Sequence, residues 1–271
     1  VGKYGIKIQI LIIVLTLGSQ LYLSGSQDNG GVVFSVSSGF YSAPFYLTLT
    51  SSDPASQIII TLDGSNPQNS SNSIIVNSPA SVLIDPENHE GRPLTPAVIV
   101  RASITKSGFT PSYPATRSYI FPEKVKTQTW PGGEWPDGSI NGQQIDLEMD
   151  AAVVNDPEYS GLVDDALLSI PTISVATDLK NLFDPDSGIY VNATGRGTDW
   201  ERECSVELIN PDGSEGFTVN AGLRIRGGSS RGRSFLKHGF RLFFREKYGN
   251  DILDYPLFGD EGTNQFDKID L

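Results

Sequence analysis

Residues 98–105 alternate without a break, with Val98, Val100, Ala102 and Ile104 on one side and Ile99, Arg101, Ser103 and Thr105 on the other. Side chains along a strand point to opposite faces with a period of two, so this segment suits a sheet with one dry face. Similar short runs recur at 32–36, 45–50, 57–62, 73–76 and 117–120, parted by turn residues. The clearest turn is Asp63-Gly64-Ser65-Asn66-Pro67. Asp and Asn bond the local backbone there, Gly accepts positive φ and Pro blocks continuation, which accounts for Asp63 better than a calcium site lacking further carboxylates at ligand spacing. The 28 Gly and 17 Pro of the 271-residue chain fit the same pattern. They predict a mainly β protein, long enough for two domains with a core each.

Lys3 and Lys7 frame the start of an apolar run over residues 8–17, which is followed by Gly18, Ser24, Gly25 and Ser26. The run is shorter than the roughly 20 residues that span a bilayer. It predicts a secretory signal peptide over residues 1–26, a secreted or cell-surface protein and no stable membrane anchor, a retained anchor being the alternative. Cys204 is the only cysteine, so no internal disulfide can form and no lipidated cysteine follows the leader. It lies in the alternating stretch Glu203-Cys204-Ser205-Val206-Glu207-Leu208, as a small core residue rather than a nucleophile. A net charge of −12 argues against nucleic acid as a partner. His89 and His238 are the only histidines, far apart and without paired cysteines, which leaves a zinc site without ligands. His238 is expected as a partly exposed strand residue. No Gly-x-Ser-x-Gly elbow or Walker-type loop occurs.

One local region departs from the acidic average. Between positions 224 and 247, Arg224, Arg226, Arg231, Arg233, Lys237, Arg241, Arg245 and Lys247 face one acid, Glu246. The stretch reads as strand, glycine turn, strand. Either the cations solvate the outer face of a hairpin, or the turn Arg226-Gly227-Gly228-Ser229-Ser230 and Lys237 converge on an anion such as phosphate. Residues 122–169 form a linker rich in Pro, Gly, Asp and Trp, with a short helical turn expected at 164–168. Trp130 and Trp135 could stack on sugar rings or fold the linker onto a neighbouring domain. Asp164 and Asp165 are adjacent on one element and do not suit a pair of glycosidase acids.

Two resemblances follow from motifs in order. Phe34, Gly39-Phe40-Tyr41, Pro44, the Asp63–Pro67 turn, Val100-Arg101-Ala102 and Lys106-Ser107-Gly108 resemble the chitobiase and β-hexosaminidase C-terminal module, also called an Fn3-associated domain. The likeness covers residues 30–121 and implies an Ig/Fn3-like β-sandwich in an exported protein, without hexosaminidase activity. From residue 170 onward, Pro171-Thr172-Ile173-Ser174, Asn181-Leu182-Phe183-Asp184-Pro185-Asp186-Ser187-Gly188-Ile189-Tyr190, Trp200, Pro211-Asp212-Gly213, the cationic hairpin and Tyr255-Pro256-Leu257-Phe258 resemble the N-terminal part of the CotH (spore coat protein H) kinase family.

That second likeness covers residues 170–271 and implies a truncated α+β kinase-like domain that uses ATP and Mg²⁺ to phosphorylate serine in a protein substrate. It matches Arg226, Gly227, Gly228, Ser229 and Ser230 to the family's Arg-Gly-x-Ser turn, and Lys237 to the lysine opening the next strand, as cofactor-binding residues. The same context reads Asp184-Pro185-Asp186-Ser187 as the turn before a Gly188-Ile189-Tyr190 strand rather than as a calcium loop. The family's catalytic acids and metal ligands would lie beyond Leu271, so this chain alone is expected to be inactive, with no metal ligands of its own. The alternative is a non-enzymatic surface scaffold that binds polysaccharide.

Overall fold

The computed structural model describes residues 31–108 and 113–271, and the expected signal peptide lies outside them. The first unit holds β1 (Val32–Phe34), β2 (Gly39–Phe40), β3 (Phe45–Ser51), β4 (Gln57–Thr61), β5 (Ile74–Asn77), β6 (Ala80–Ile84), β7 (Ala97–Thr105) and β8 (Ala115–Ile120). They form one sheet in the order β1-β3-β6 and another in the order β2-β8-β7-β4-β5. Pairing is antiparallel except between β2 and β8. Leu47 and Leu49 from one sheet meet Ile58, Ile60, Val98, Val100, Ala102 and Tyr119 from the other in a single buried cluster. The alternation in β7 is the cause, since its apolar set turns inward and leaves Arg101 and Ser103 on the far face. β6 was not among the expected strands; its Ala80-Ser81-Val82-Leu83-Ile84 segment finds its place through pairing with β3.

The expected linker contains α1 (Pro122–Val125), the hairpin of β9 (Ser139–Ile140) and β10 (Gln143–Gln144), α2 (Ala151–Val154) and α3 (Val163–Leu167). Lys126 ties its start to α3 through Asp164, at 2.6 Å. Trp130 donates its indole N–H to the Trp135 and Pro136 carbonyls, and Trp135 packs on Phe183 with ring centroids 6.2 Å apart.

The second unit holds β11 (Thr172–Ala176), α4 (Leu179–Phe183), β12 (Arg202–Ile209), β13 (Phe217–Arg226), β14 (Gly239–Phe243), β15 (Leu253–Asp254), β16 (Gln265–Phe266) and β17 (Lys268–Asp270). An antiparallel sheet runs β11-β12-β13-β14-β17, and β15 pairs with β16. The fold is thus α+β with antiparallel sheets dominant. The expected Gly188–Tyr190 strand is corrected: the Ile189 and Tyr190 amides donate to the Asn181 and Leu182 carbonyls at 2.9 and 3.0 Å, a local turn that plants Ile189 in the core. Among the described residues no helix is long and apolar enough to cross a membrane.

Candidate functional site

The large sheet of the second unit has two unlike faces. Cys204, Val206, Ala221, Leu223, Ile225 and Leu242 line its apolar core side. On the other face the register sets Glu203 opposite Gly222, Ser205 opposite Asn220, Glu207 opposite Thr218, and Arg224 opposite Arg241, which in turn faces Asp270. One end of this polar face is covered by the first unit. Ser118 and Ser38 donate to the Glu207 carboxylate, Ser118 also meets Ser174 at 2.8 Å, and Arg117 donates to Thr218 at 3.4 Å. The other end stays open.

Between the two ends sits Glu201, whose side chain is fully buried. Its Oε2 accepts from Arg224 Nε at 2.8 Å. Its Oε1 lies 2.9 Å from Lys247 Nζ, 3.2 Å from Arg245 Nε and 3.0 Å from the Tyr248 hydroxyl. Burial pushes this carboxyl up, but the bonds from Lys247, Arg224 and Tyr248 outweigh it and hold the pKa below its ordinary value. Gly222 makes room for the knot: a Cβ there would stand 2.7 Å from both Glu201 Cδ and Tyr248 Cε2. Arg224 and Arg245 lie over the Phe243 ring, 4.3 and 4.8 Å from its centroid.

Beyond Glu201 the open end forms a cleft of about 210 Å³ lined by five arginines, Arg196, Arg224, Arg226, Arg231 and Arg241, with Gly195, Gly197 and Gly227 and, among the described residues, no acid. Arg231 is structural. Its guanidinium donates to the carbonyls of Gly227 at 2.8 Å, Ala193 at 3.0 Å and Gly195 at 2.8 Å, and also to that of Ile225, and so clamps the two walls together. Burial, then the charges of Arg196 and Arg226, lower its pKa. Arg226 and Arg241 share Asp270 at the rim, the former at 2.8 Å. The hydrogen bond from Arg241, joined by that from Arg226, holds the Asp270 carboxyl far below the usual range against the opposing effect of burial. Arg196 has no ion-pair partner among the described residues. Guanidinium groups present paired N–H donors that match phosphate oxygens, so this arrangement can bind an oxyanion.

Of the residues expected at the site, Arg226 and Gly227 line the cleft. Gly227 is required there, with φ of +129° and a notional Cβ 2.1 Å from Ser230 Oγ. Gly228, Ser229 and Ser230 belong to the adjoining turn, which closes as a 3-10 segment over Ser229–Arg231. Lys237 is exposed before β14 and is not part of the lining. His238 is corrected from a partly exposed strand residue to a buried one, 6% exposed, bonding the Ser230 carbonyl at 2.9 Å and Gln143 Oε1 at 3.0 Å. Arg196 escaped the sequence reading because it comes from a loop without periodicity; its flanking Gly195 and Gly197 were the available signal. Asp63 and Asp184 spend their carboxylates locally, on Ser65 and Asn72 and on Ser187. No family model, curated protein or solved structure matches this chain.

Proposed function

We propose that the chain is part of an exported, CotH-like atypical protein kinase, and that the arginine cleft receives the phosphates of ATP used to phosphorylate protein serine. The observation that carries this reading is the convergence of Arg196, Arg224, Arg226 and Arg241, braced by the structural Arg231, on a cleft whose lining among the described residues contains no acid, in a chain of net charge −12. In this reading the first unit is an Ig/Fn3-like sandwich serving as spacer or adhesion module, and the second is a kinase-like N-terminal part.

The cleft suits the phosphate end of a nucleotide, where guanidinium groups offset charge on phosphoryl oxygens. Bound there, ATP would supply the transferable phosphoryl group. Magnesium would need a carboxylate beside the phosphates, and among the described residues none lines the cleft. Trp135 packs on Phe183, while Trp130 remains 40% exposed for the polysaccharide alternative.

Calorimetric titration of the chain with tripolyphosphate and with ATP tests the reading. Both should bind, more weakly as salt rises from about 0.05 to 0.2 M. Arg226→Ala and Arg196→Ala should each weaken binding about tenfold, the worth of a charged hydrogen bond. Asp270→Asn, which releases Arg226 and Arg241, should tighten it, and Lys237→Ala should change little. Affinity untouched by both arginine variants, or binding of chito-oligosaccharides with none of triphosphate, sinks the proposal.

A further inference from the structure

A second cleft, of about 240 Å³, lies at the seam of the two units, where Arg101 of β7 meets Asp178, Lys180 and Glu203 of the second unit and Asn66 and Asn69 of the first. Arg101 is only 2% exposed. Its Nη1 reaches the Gly64 carbonyl at 3.4 Å, yet among the described residues Nε and Nη2 have no hydrogen-bond partner. These two nitrogens form one edge of the guanidinium, a pair of parallel N–H groups spaced to grip a carboxylate. Glu203 Oε1 stops 3.9 Å from Nη2, an ion-pair distance too long for a hydrogen bond. Across the β7–β8 ladder, Thr116 faces Arg101, and its Oγ1 is also unpartnered among the described residues. The buried Arg101 charge has therefore given up water without gaining a full set of partners, which a ligand on its unpartnered edge would restore.

The chemistry of that ligand is constrained by the walls. The lining also holds Glu201 and Arg202, and its three acids, Asp178, Glu201 and Glu203, repel a phosphate dianion, whereas a planar monoanion matches the single unpartnered edge of Arg101. Asp178 and Glu203 accept from a hydroxyl or an ammonium. The volume equals roughly eight waters, room for a sugar acid or an amino acid. We propose that the seam cleft binds a small carboxylate carrying hydroxyl or ammonium donors, with its carboxylate on Nε and Nη2 of Arg101 and its donors toward Asp178 and Glu203.

The test is calorimetric titration of the full chain with glucuronate, glycine and the neutral glucuronamide. Glucuronate or glycine should bind saturably, identifying a sugar acid or an amino acid as the source of the carboxylate, and the amide should not bind. Arg101→Lys keeps the charge but loses the paired edge and should abolish the signal. Lys180 is exposed at the rim, so Lys180→Glu should fold normally and weaken binding about fivefold by like-charge repulsion, which decides the matter even if Arg101→Lys is unstable. Arg226→Ala, in the other cleft, should leave this binding unchanged. No saturable signal with either carboxylate, equal binding of the amide, or full affinity in Lys180→Glu overturns the proposal.

Discussion

Glu207 and Glu201 lie on the same face of one sheet and titrate in opposite senses. Glu207 is 1% exposed, and burial raises its pKa despite hydrogen bonds from Ser118 and Ser38. A raised folded-state value means a contribution that is complete below the unfolded pKa, about 4.3, and is lost as pH rises through the folded one. Glu207→Gln keeps the shape and removes that loss. Its melting temperature should exceed the wild type's by a few degrees near pH 8 and by less near pH 5, as read by scanning calorimetry. A variant less stable than wild type near pH 8 would show that the carboxylate charge itself stabilises the seam. For Glu201 the folded value is lowered, so its contribution is present above the unfolded pKa and fades as pH falls through the folded one. Cys204, also buried, has its thiol pushed up to about 12, which leaves no thiolate at neutral pH and no nucleophile.

At the scale of elements, β13 does two jobs because its faces differ. Its apolar side closes the core, and its other side carries Gly222, Arg224 and Arg226 in succession from the Glu201 knot into the open cleft. Gly222→Ala would drive a methyl against Glu201 and Tyr248, both buried, and should cost about 1–3 kcal/mol. Urea denaturation would register this as a lower midpoint, and an unchanged midpoint would mean that the knot is looser than its distances indicate. The alternation of β7 and β12 was legible in sequence because each has one apolar face, a period-two signal that needs no partner to be read. Gly188-Ile189-Tyr190 misled because the family resemblance implied a strand there, while the deciding bonds run back to Asn181 and Leu182. The burial of His238 was illegible for a related reason: its partner Gln143 comes from β10, far away in sequence.

At the scale of the whole molecule, one polar sheet face is divided between two uses. The first unit covers the end near Glu207 with Ser38 and Ser118, and the uncovered end gathers arginines around an anion-sized space. The cationic hairpin was visible in the sequence, but which cations converge was not. Arg224, Arg226, Arg231 and Arg241 line the cleft while Arg233, Lys237, Arg245 and Lys247 do not, a division set by strand register and by the Arg231 clamp. Cross-strand neighbours share a face, so pairing rather than composition selected the site. The most direct measurement is a crystal structure of the chain grown with tripolyphosphate. Phosphate density is expected among Arg196, Arg224, Arg226 and Arg241, with Asp270 displaced from at least one of its arginines. Ordered phosphate bound elsewhere, with that cleft holding only water, would contradict it.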